Sequence, residues 1–146
     1  MAKARNTKQL NALLMLHLNR AMNEAAFKSL SDMRDETVDF YTGEQPKIYQ
    51  RTGELAQTPA VSKVSSSSTQ NGGSASFEAY YNTQHKYTTG KRPSMATVLD
   101  VANRGLTAAK EHNLRPAVGK TGFIDRAEEK VKKSTIDALS KHFYKK

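Results

Sequence analysis

The chain has 146 residues, a formal net charge of +9 and no cysteine. This length suits one domain with a modest core, and the absence of cysteine excludes disulfides and thiolate chemistry. No apolar run approaches the roughly eighteen residues that span a bilayer, and the first residues contain no apolar signal segment. We therefore expect a protein that is made in the cytoplasm and has no membrane partner.

The basic charge is concentrated towards the C-terminus, where residues 110–146 contain ten Lys and Arg against five Asp and Glu. Such an excess can attract DNA or an acidic partner surface. It also fits a solvated helix with a basic end, which the helix dipole favours. The second interpretation is preferred, because no compact basic cluster with interleaved aromatic residues accompanies the charge.

A long helix is predicted first, because apolar residues recur at helical spacing from Leu10 to Val38. It would extend about 45 Å at 1.5 Å per residue, with Thr7 as its N-cap and Gly43 just beyond its end. One short sheet cannot cover an apolar stripe of this length. Part of the stripe either faces a neighbouring subunit or packs within the chain, and the sequence leaves both possibilities open.

A β-hairpin is predicted next. Residues 58–68 read as one strand, residues 70–73 as a tight turn and residues 74–81 as the partner strand. The serine run within the first strand is also typical of a flexible linker. Because strands flank this short run, we interpret it as part of a mobile hairpin tip.

Two helical patterns follow the hairpin. Ser94 is suited to cap the first of them, which Gly105 weakens in its later part. The terminal pattern runs from about Ile124 to Phe143, with acidic residues in its first turns and lysines near its end. That order of charges suits the helix dipole.

These elements predict an α+β fold in which the long N-terminal helix and the C-terminal helix pack on a small antiparallel sheet with an extended hairpin. Residues 1–146 are expected to form a single domain. Within it, residues 1–41 form the long helix, residues 42–93 the loop and hairpin, and residues 94–146 the helical C-terminal part.

No constellation in the sequence supports catalysis or metal binding. The four histidines stand in four separate elements without metal-ligand spacing. Gly119-Lys120-Thr121 is like the end of a phosphate-binding loop, but Leu114 occupies the position where that loop needs glycine. Four acidic residues share one face of the long helix and predict a solvated surface rather than a cation site: Asp32, Asp35, Glu36 and Asp39. We therefore predict no catalytic, cofactor-binding or metal-binding residue, and no enzymatic activity.

The order of the motifs resembles one phage family. A long helix is followed by Arg51-Thr-Gly-Glu-Leu55, a hairpin, and a terminal helix opened by Gly122-Phe-Ile-Asp-Arg-Ala127. This layout is similar to the neck and tail-completion proteins of long-tailed phages, the HK-ninety-seven gene-ten-product-like minor tail components. The chain departs from their pattern where Gly122 replaces a proline, and where Val101-Ala-Asn-Arg-Gly105 replaces a Glu-x-Gly-Thr stretch.

The resemblance implies a structural virion protein without enzymatic activity or cofactor. It also implies that the chain forms a ring, commonly of six copies, between the head connector and the tail tube. Such a ring would be assembled in the host cytoplasm. DNA would pass through the lumen without sequence readout. The residues expected to contact neighbouring subunits or rings are Arg51, Thr52, Gly53, Leu55, Asn71, Gly72 and Phe123.

Two other classes of function stay open. A small basic DNA-binding protein would explain the net charge, although no helix-turn-helix or zinc-finger spacing is present. A DNA affinity that falls steeply with rising salt concentration would favour this class. A small hydrolase or toxin-like enzyme is the other class, and the sequence lacks any nucleophile–base signature for it.

Overall fold

The longest element of the protein is a helix, α1, which runs from Thr7 to Phe40 and extends about 51 Å. The computed structural model describes residues 6–42, 54–69, 72–84, 94–114 and 119–143. Asn6 is the N-cap of α1, because its extended backbone lets its side-chain oxygen accept from Gln9 N at 2.9 Å. The prediction of Thr7 as the cap is therefore wrong by one residue. Gly43, predicted to follow the helix, lies outside the described residues.

Within these described ranges, the other elements are four short strands, a 3-10 turn and three helices. In chain order they are a 3-10 helix Glu54–Gln57, β1 Pro59–Val61, β2 Ser65–Thr69, β3 Gly72–Ser76, β4 Ala79–Tyr81, α2 Met95–Arg104, α3 Leu106–Glu111 and α4 Phe123–Phe143. The fold is α+β, with a long N-terminal helix, a C-terminal helix and small antiparallel sheets, as predicted.

The hairpin is bent rather than continuous. β1 pairs with β4, and β2 pairs with β3, both antiparallel. Between the two ladders, residues 62–64 lie opposite residues 77 and 78, so one strand carries an extra residue as in a β-bulge. At this point Glu78 N donates to Ser62 Oγ at 2.8 Å, so the hydroxyl replaces the ladder carbonyl. The prediction of two unbroken strands is corrected accordingly.

The helical C-terminal part is also more divided than predicted. Ser94 caps α2 as expected, accepting from Thr97 N at 3.3 Å. Gly105 then adopts φ 71° and ψ −135°, which ends α2 and separates it from α3. Glycine reaches this conformation without steric cost, so one predicted helix becomes two.

The core lies where the end of α1, the 3-10 turn, the hairpin base, α2 and α4 meet, and a smaller cluster joins α3 to α2. Phe123 is fully buried there, and its ring centroid lies 5.6 Å from Phe40 and 6.0 Å from Tyr81. Burial raises the pKa of Tyr81 to about 12. The other buried members of this cluster are Leu55, Met95, Leu99 and Ala102. The core thus fastens the C-terminal half of α1, whereas no residue of 7–20 is buried.

Candidate functional site

The predicted contact residues fall into three groups. Arg51, Thr52, Gly53 and Asn71 lie outside the described residues, so their role stays a prediction. Leu55 and Phe123 are buried in the core, where their side chains pack against other parts of the same chain. Their apolar character is therefore explained by intramolecular packing.

Gly72 has a different position. It begins β3, is partly exposed and lines a groove on the surface. Of the predicted contact residues within the described ranges, it is the one that lies on an accessible surface.

The acidic face of α1 is a helix–helix interface. Asp32 and Glu36 are buried, so the prediction of a solvated face is wrong for both, while Asp35 is exposed as predicted. Glu36 accepts from Arg126 at 2.8 Å and pairs with Lys130 at 2.6 Å.

Asp32 is satisfied from both helices. Ser134 donates to it at 2.6 Å from α4, and Lys28 pairs with it at 2.5 Å from the preceding turn of α1. A buried carboxylate costs free energy unless it is paired, and these contacts provide the partners.

The pairing continues towards both ends of this interface. Glu24 lies 2.9 Å from Lys141 and 2.7 Å from His142, and Asp39 lies 2.8 Å from Lys120. Residues later in α1 pair with residues earlier in α4, so the two helices run antiparallel. We call the pairs of Glu24, Asp32, Glu36 and Asp39 with the C-terminal segment the α1–α4 ladder.

Ion pairing lowers the pKa of three ladder carboxyls. Burial raises the pKa of Glu36, but hydrogen bonds from Lys130 and Arg126 outweigh it, so the pKa lies below its ordinary value. The hydrogen bonds from Lys141 and His142 lower the pKa of Glu24, and that from Lys120 lowers the pKa of Asp39. The ladder therefore holds these groups ionised.

A second polar cluster joins α2 to α3. Arg104 makes two contacts to Asp100, at 2.5 and 2.6 Å, and reaches Glu111 at 2.6 Å. His112 lies 2.8 Å from the same Asp100 carboxylate. Hydrogen bonds from Arg104 and His112 hold the pKa of Asp100 well below its usual range. The cluster bridges the break at Gly105, which gives it a structural role.

Two other features are absent from the part of the chain that the structure describes. Within those ranges, no group of three or more His, Asp or Glu side chains is placed to hold a metal ion. No helix in the described part of the chain has the length and apolar character needed to cross a membrane.

An apolar groove lies at the end of the molecule where α1 begins. Its volume is about 290 Å³, and it is bounded by α1, the tip of the hairpin and the end of α4. The groove is lined by Asn11, Leu14, Met15, Leu18, Gly72, Gly73 and Phe143. We refer to it as the N-terminal groove.

The hairpin can approach α1 at the groove because of Gly73. A Cβ atom at this position would collide with the side chain of Met15 and lie 2.8 Å from the Ser67 carbonyl oxygen. Glycine thus allows the strand to rest directly on the helix. The sequence marked these glycines only as a turn and gave no signal that the turn packs on α1.

Apolar side chains remain exposed along α1 outside the groove. Leu10 and Leu16 near its start are close to half exposed, and Phe27 is 80% exposed. Leu16, Phe27 and Val38 are spaced eleven residues apart, or about three turns, and therefore share one side of the helix.

Comparison with known proteins gives a family for the chain. The family model of YomN matches residues 6–145. The search of curated proteins found no match, and neither did the search of solved structures. Because the matched region covers almost the whole sequence, the chain belongs to the YomN family, a phage-derived protein family.

Proposed function

We propose that the chain is a structural subunit of a phage particle, which forms a ring in the neck or tail-completion region between the head connector and the tail tube. The ring would contain about six copies, as the resemblance of its motifs implies. It would be assembled in the host cytoplasm and would remain in the virion. DNA would cross the lumen without base-specific contacts.

The observation that carries this proposal is the first half of α1, which the hairpin and the end of α4 cover only in part. Residues 7–20 contain six Leu or Met side chains, and none of the fourteen residues is buried. Burying one such side chain fully stabilises a protein by about 1.5–3 kcal/mol. A helix that leaves several of them accessible therefore fits a subunit that buries them against another subunit.

Two further observations support the proposal of a ring subunit. The second half of α1 is fastened to α4 by the α1–α4 ladder and to the core by Phe40. A helix that is fastened in its second half and keeps accessible apolar side chains in its first half is suited to repeated contacts in a ring. Membership of a phage-derived family agrees with a role in the particle.

Deletion of the gene from a phage that carries it tests the proposal. We expect filled heads and complete tails that fail to join, seen by electron microscopy, and full recovery when the protein is supplied from a plasmid. Mass spectrometry of purified wild-type particles should find the chain at a fixed number of copies per particle. Normal infectious particles from the deletion strain, or particles without the chain, would refute the structural role.

A further inference from the structure

The two longest uncharged stretches of this basic chain meet at one end of the molecule. Residues 9–19 and residues 64–77 contain no Lys, Arg, Asp or Glu, which is unusual in a sequence with 25% charged residues. They are far apart in sequence: the first lies in α1, and the second forms most of the hairpin.

The N-terminal groove lies between these two stretches. Leu14, Met15 and Leu18 line one wall, Gly72 and Gly73 line another, and Phe143 closes the end. None of the described residues that line it is charged. This lining is therefore apolar and uncharged in a chain of net charge +9.

The neutrality of the groove indicates what docks there. DNA or an acidic protein would be held by cationic side chains, and the described residues of the lining provide none. Two copies of the chain repel each other through their net charge, and this repulsion opposes contact least where the surfaces are uncharged. An uncharged apolar lining is suited to an apolar side chain, and a second copy of this chain presents one in Phe27.

The same helix offers an apolar side chain that can fill the groove. Phe27 is the most exposed large apolar side chain among the described residues, at 80%. It lies nine residues after Leu18, which is two and a half turns at about 3.6 residues per turn. Phe27 therefore points away from the side of α1 that faces the groove.

We infer that the N-terminal groove of one copy receives Phe27 of the next copy. The inference deepens the proposed function and rests on it. Because groove and Phe27 lie on opposite sides of α1, each copy can contact one neighbour on each side. Such a head-to-tail contact builds a closed ring when the rotation between copies closes.

Two variants, each of which removes one half of this contact, test the inference. Leu14→Glu places a charge in the groove, and Phe27→Glu removes the inserted ring. Both positions are accessible in the single chain, and Glu is a good helix former, so the fold should be kept. Circular dichroism and urea unfolding check this, and Gln replaces Glu in either variant that fails to fold. Leu106→Glu, at an exposed leucine of α3 away from the groove, is the matched control.

Analytical ultracentrifugation gives the readout. We expect the wild type and the Leu106→Glu control to associate, and each groove or Phe27 variant to associate at least tenfold more weakly. An equimolar mixture of the two variants should give heterodimers, because Phe27 of the first variant meets the intact groove of the second. A wild type that stays monomeric, variants that associate like the control, or a mixture that stays monomeric would overturn the inference.

Failure here differs from failure of the proposed function. A chain that is present in particles but does not self-associate through this contact refutes only the inference. A chain that self-associates but is absent from particles refutes the structural role.

Discussion

Glu36 shows how a charged residue can belong to the interior of this protein. Its side chain is only 6% exposed, yet it lies 2.8 Å from Arg126 and 2.6 Å from Lys130. Both basic residues come from the first two turns of α4, ninety or more positions later in the sequence. The carboxylate therefore links the N-terminal helix α1 to the C-terminal helix α4.

Glu36→Gln should destabilise the protein by about 1–3 kcal/mol, because it weakens two charge-assisted hydrogen bonds and leaves their donors poorly paired. Urea unfolding at pH 7 measures the change. Glu128→Gln is the control, since Glu128 is 63% exposed and pairs with Lys132 within one helix at 3.1 Å. The control should cost less than about 0.5 kcal/mol. Equal effects of the two substitutions would contradict the role given to Glu36.

Phe123 is the residue on which the core depends most. It is fully buried and lies within ring-packing distance of Phe40 and Tyr81. Phe123→Ala should cost about 3–5 kcal/mol in the free energy of unfolding, through lost burial and the cavity left behind.

The matched control for Phe123 is Tyr80→Ala, because Tyr80 is an aromatic residue of β4 with 47% exposure. It should cost about 1 kcal/mol or less. Chemical denaturation of both variants under the same conditions provides the comparison. A Phe123 variant as stable as the Tyr80 variant would show that the core is assigned to the wrong residues.

Single residues were the least predictable from sequence. The motif resemblance predicts Phe123 and Leu55 as contact residues, and the structure places both side chains in the core of the single chain. Asp32 and Glu36 were assigned to solvent because a helical wheel shows which residues share a face but not what covers it. A clue did exist, since Arg126, Lys130 and Ser134 repeat every four residues on the terminal helix and can face such a row.

At the scale of elements, the antiparallel pair of α1 and α4 is the main support of the fold. Its carboxyls Glu24, Glu36 and Asp39 all have a pKa lowered by basic groups in or just before α4. Because these pKa values are lower in the folded chain than in the unfolded chain, ionisation stabilises the fold at neutral pH.

The ion pairs between α1 and α4 should therefore lose their contribution to stability at acidic pH. The contribution of these carboxyls is complete above the unfolded values of 4.5 for Glu and 3.8 for Asp, and it disappears as the pH falls further. The urea midpoint should thus be constant from about pH 7 to 6 and decline steeply below about pH 5. Glu36→Gln should show a shallower decline. A midpoint that stays level or rises on acidification would contradict the ladder.

The elements themselves were largely predictable, because periodicity is a local property. The pattern from Leu10 to Val38 gave α1, and the turn at 70–73 gave the hairpin. The bulge could not be predicted, since it depends on the Ser62 hydroxyl replacing a carbonyl opposite Glu78. The split at Gly105 was visible only as a weak point of the helix.

At the scale of the whole molecule, four of the ten basic residues in residues 110–146 pair with carboxylates of α1. Arg126 and Lys130 neutralise Glu36, Lys141 pairs with Glu24, and Lys120 pairs with Asp39. These cations hold the fold together, which reduces the number available to bind phosphate. The net charge of +9 already includes the acidic partners and is unchanged by this pairing, but fewer cations of this segment are free to contact DNA.

Salt separates the two whole-molecule hypotheses, because it acts on them in opposite directions. Contacts between copies of a chain with charge +9 are opposed by repulsion, which salt screens. Self-association through apolar surfaces should consequently strengthen as the ionic strength rises from about 0.05 to about 0.3 M. Binding to DNA would weaken over the same range as counterions compete.

The most direct measurement is the mass of the purified protein in solution, at low and moderate salt, with and without duplex DNA. If the chain is a structural subunit, we expect assemblies with masses at multiples of 16.2 kDa. Their mass should increase with salt and should not change when DNA is added. A protein that stays at 16.2 kDa under all salt conditions, and binds DNA with an affinity that falls steeply with salt, would contradict the assembly role and favour nucleic-acid binding.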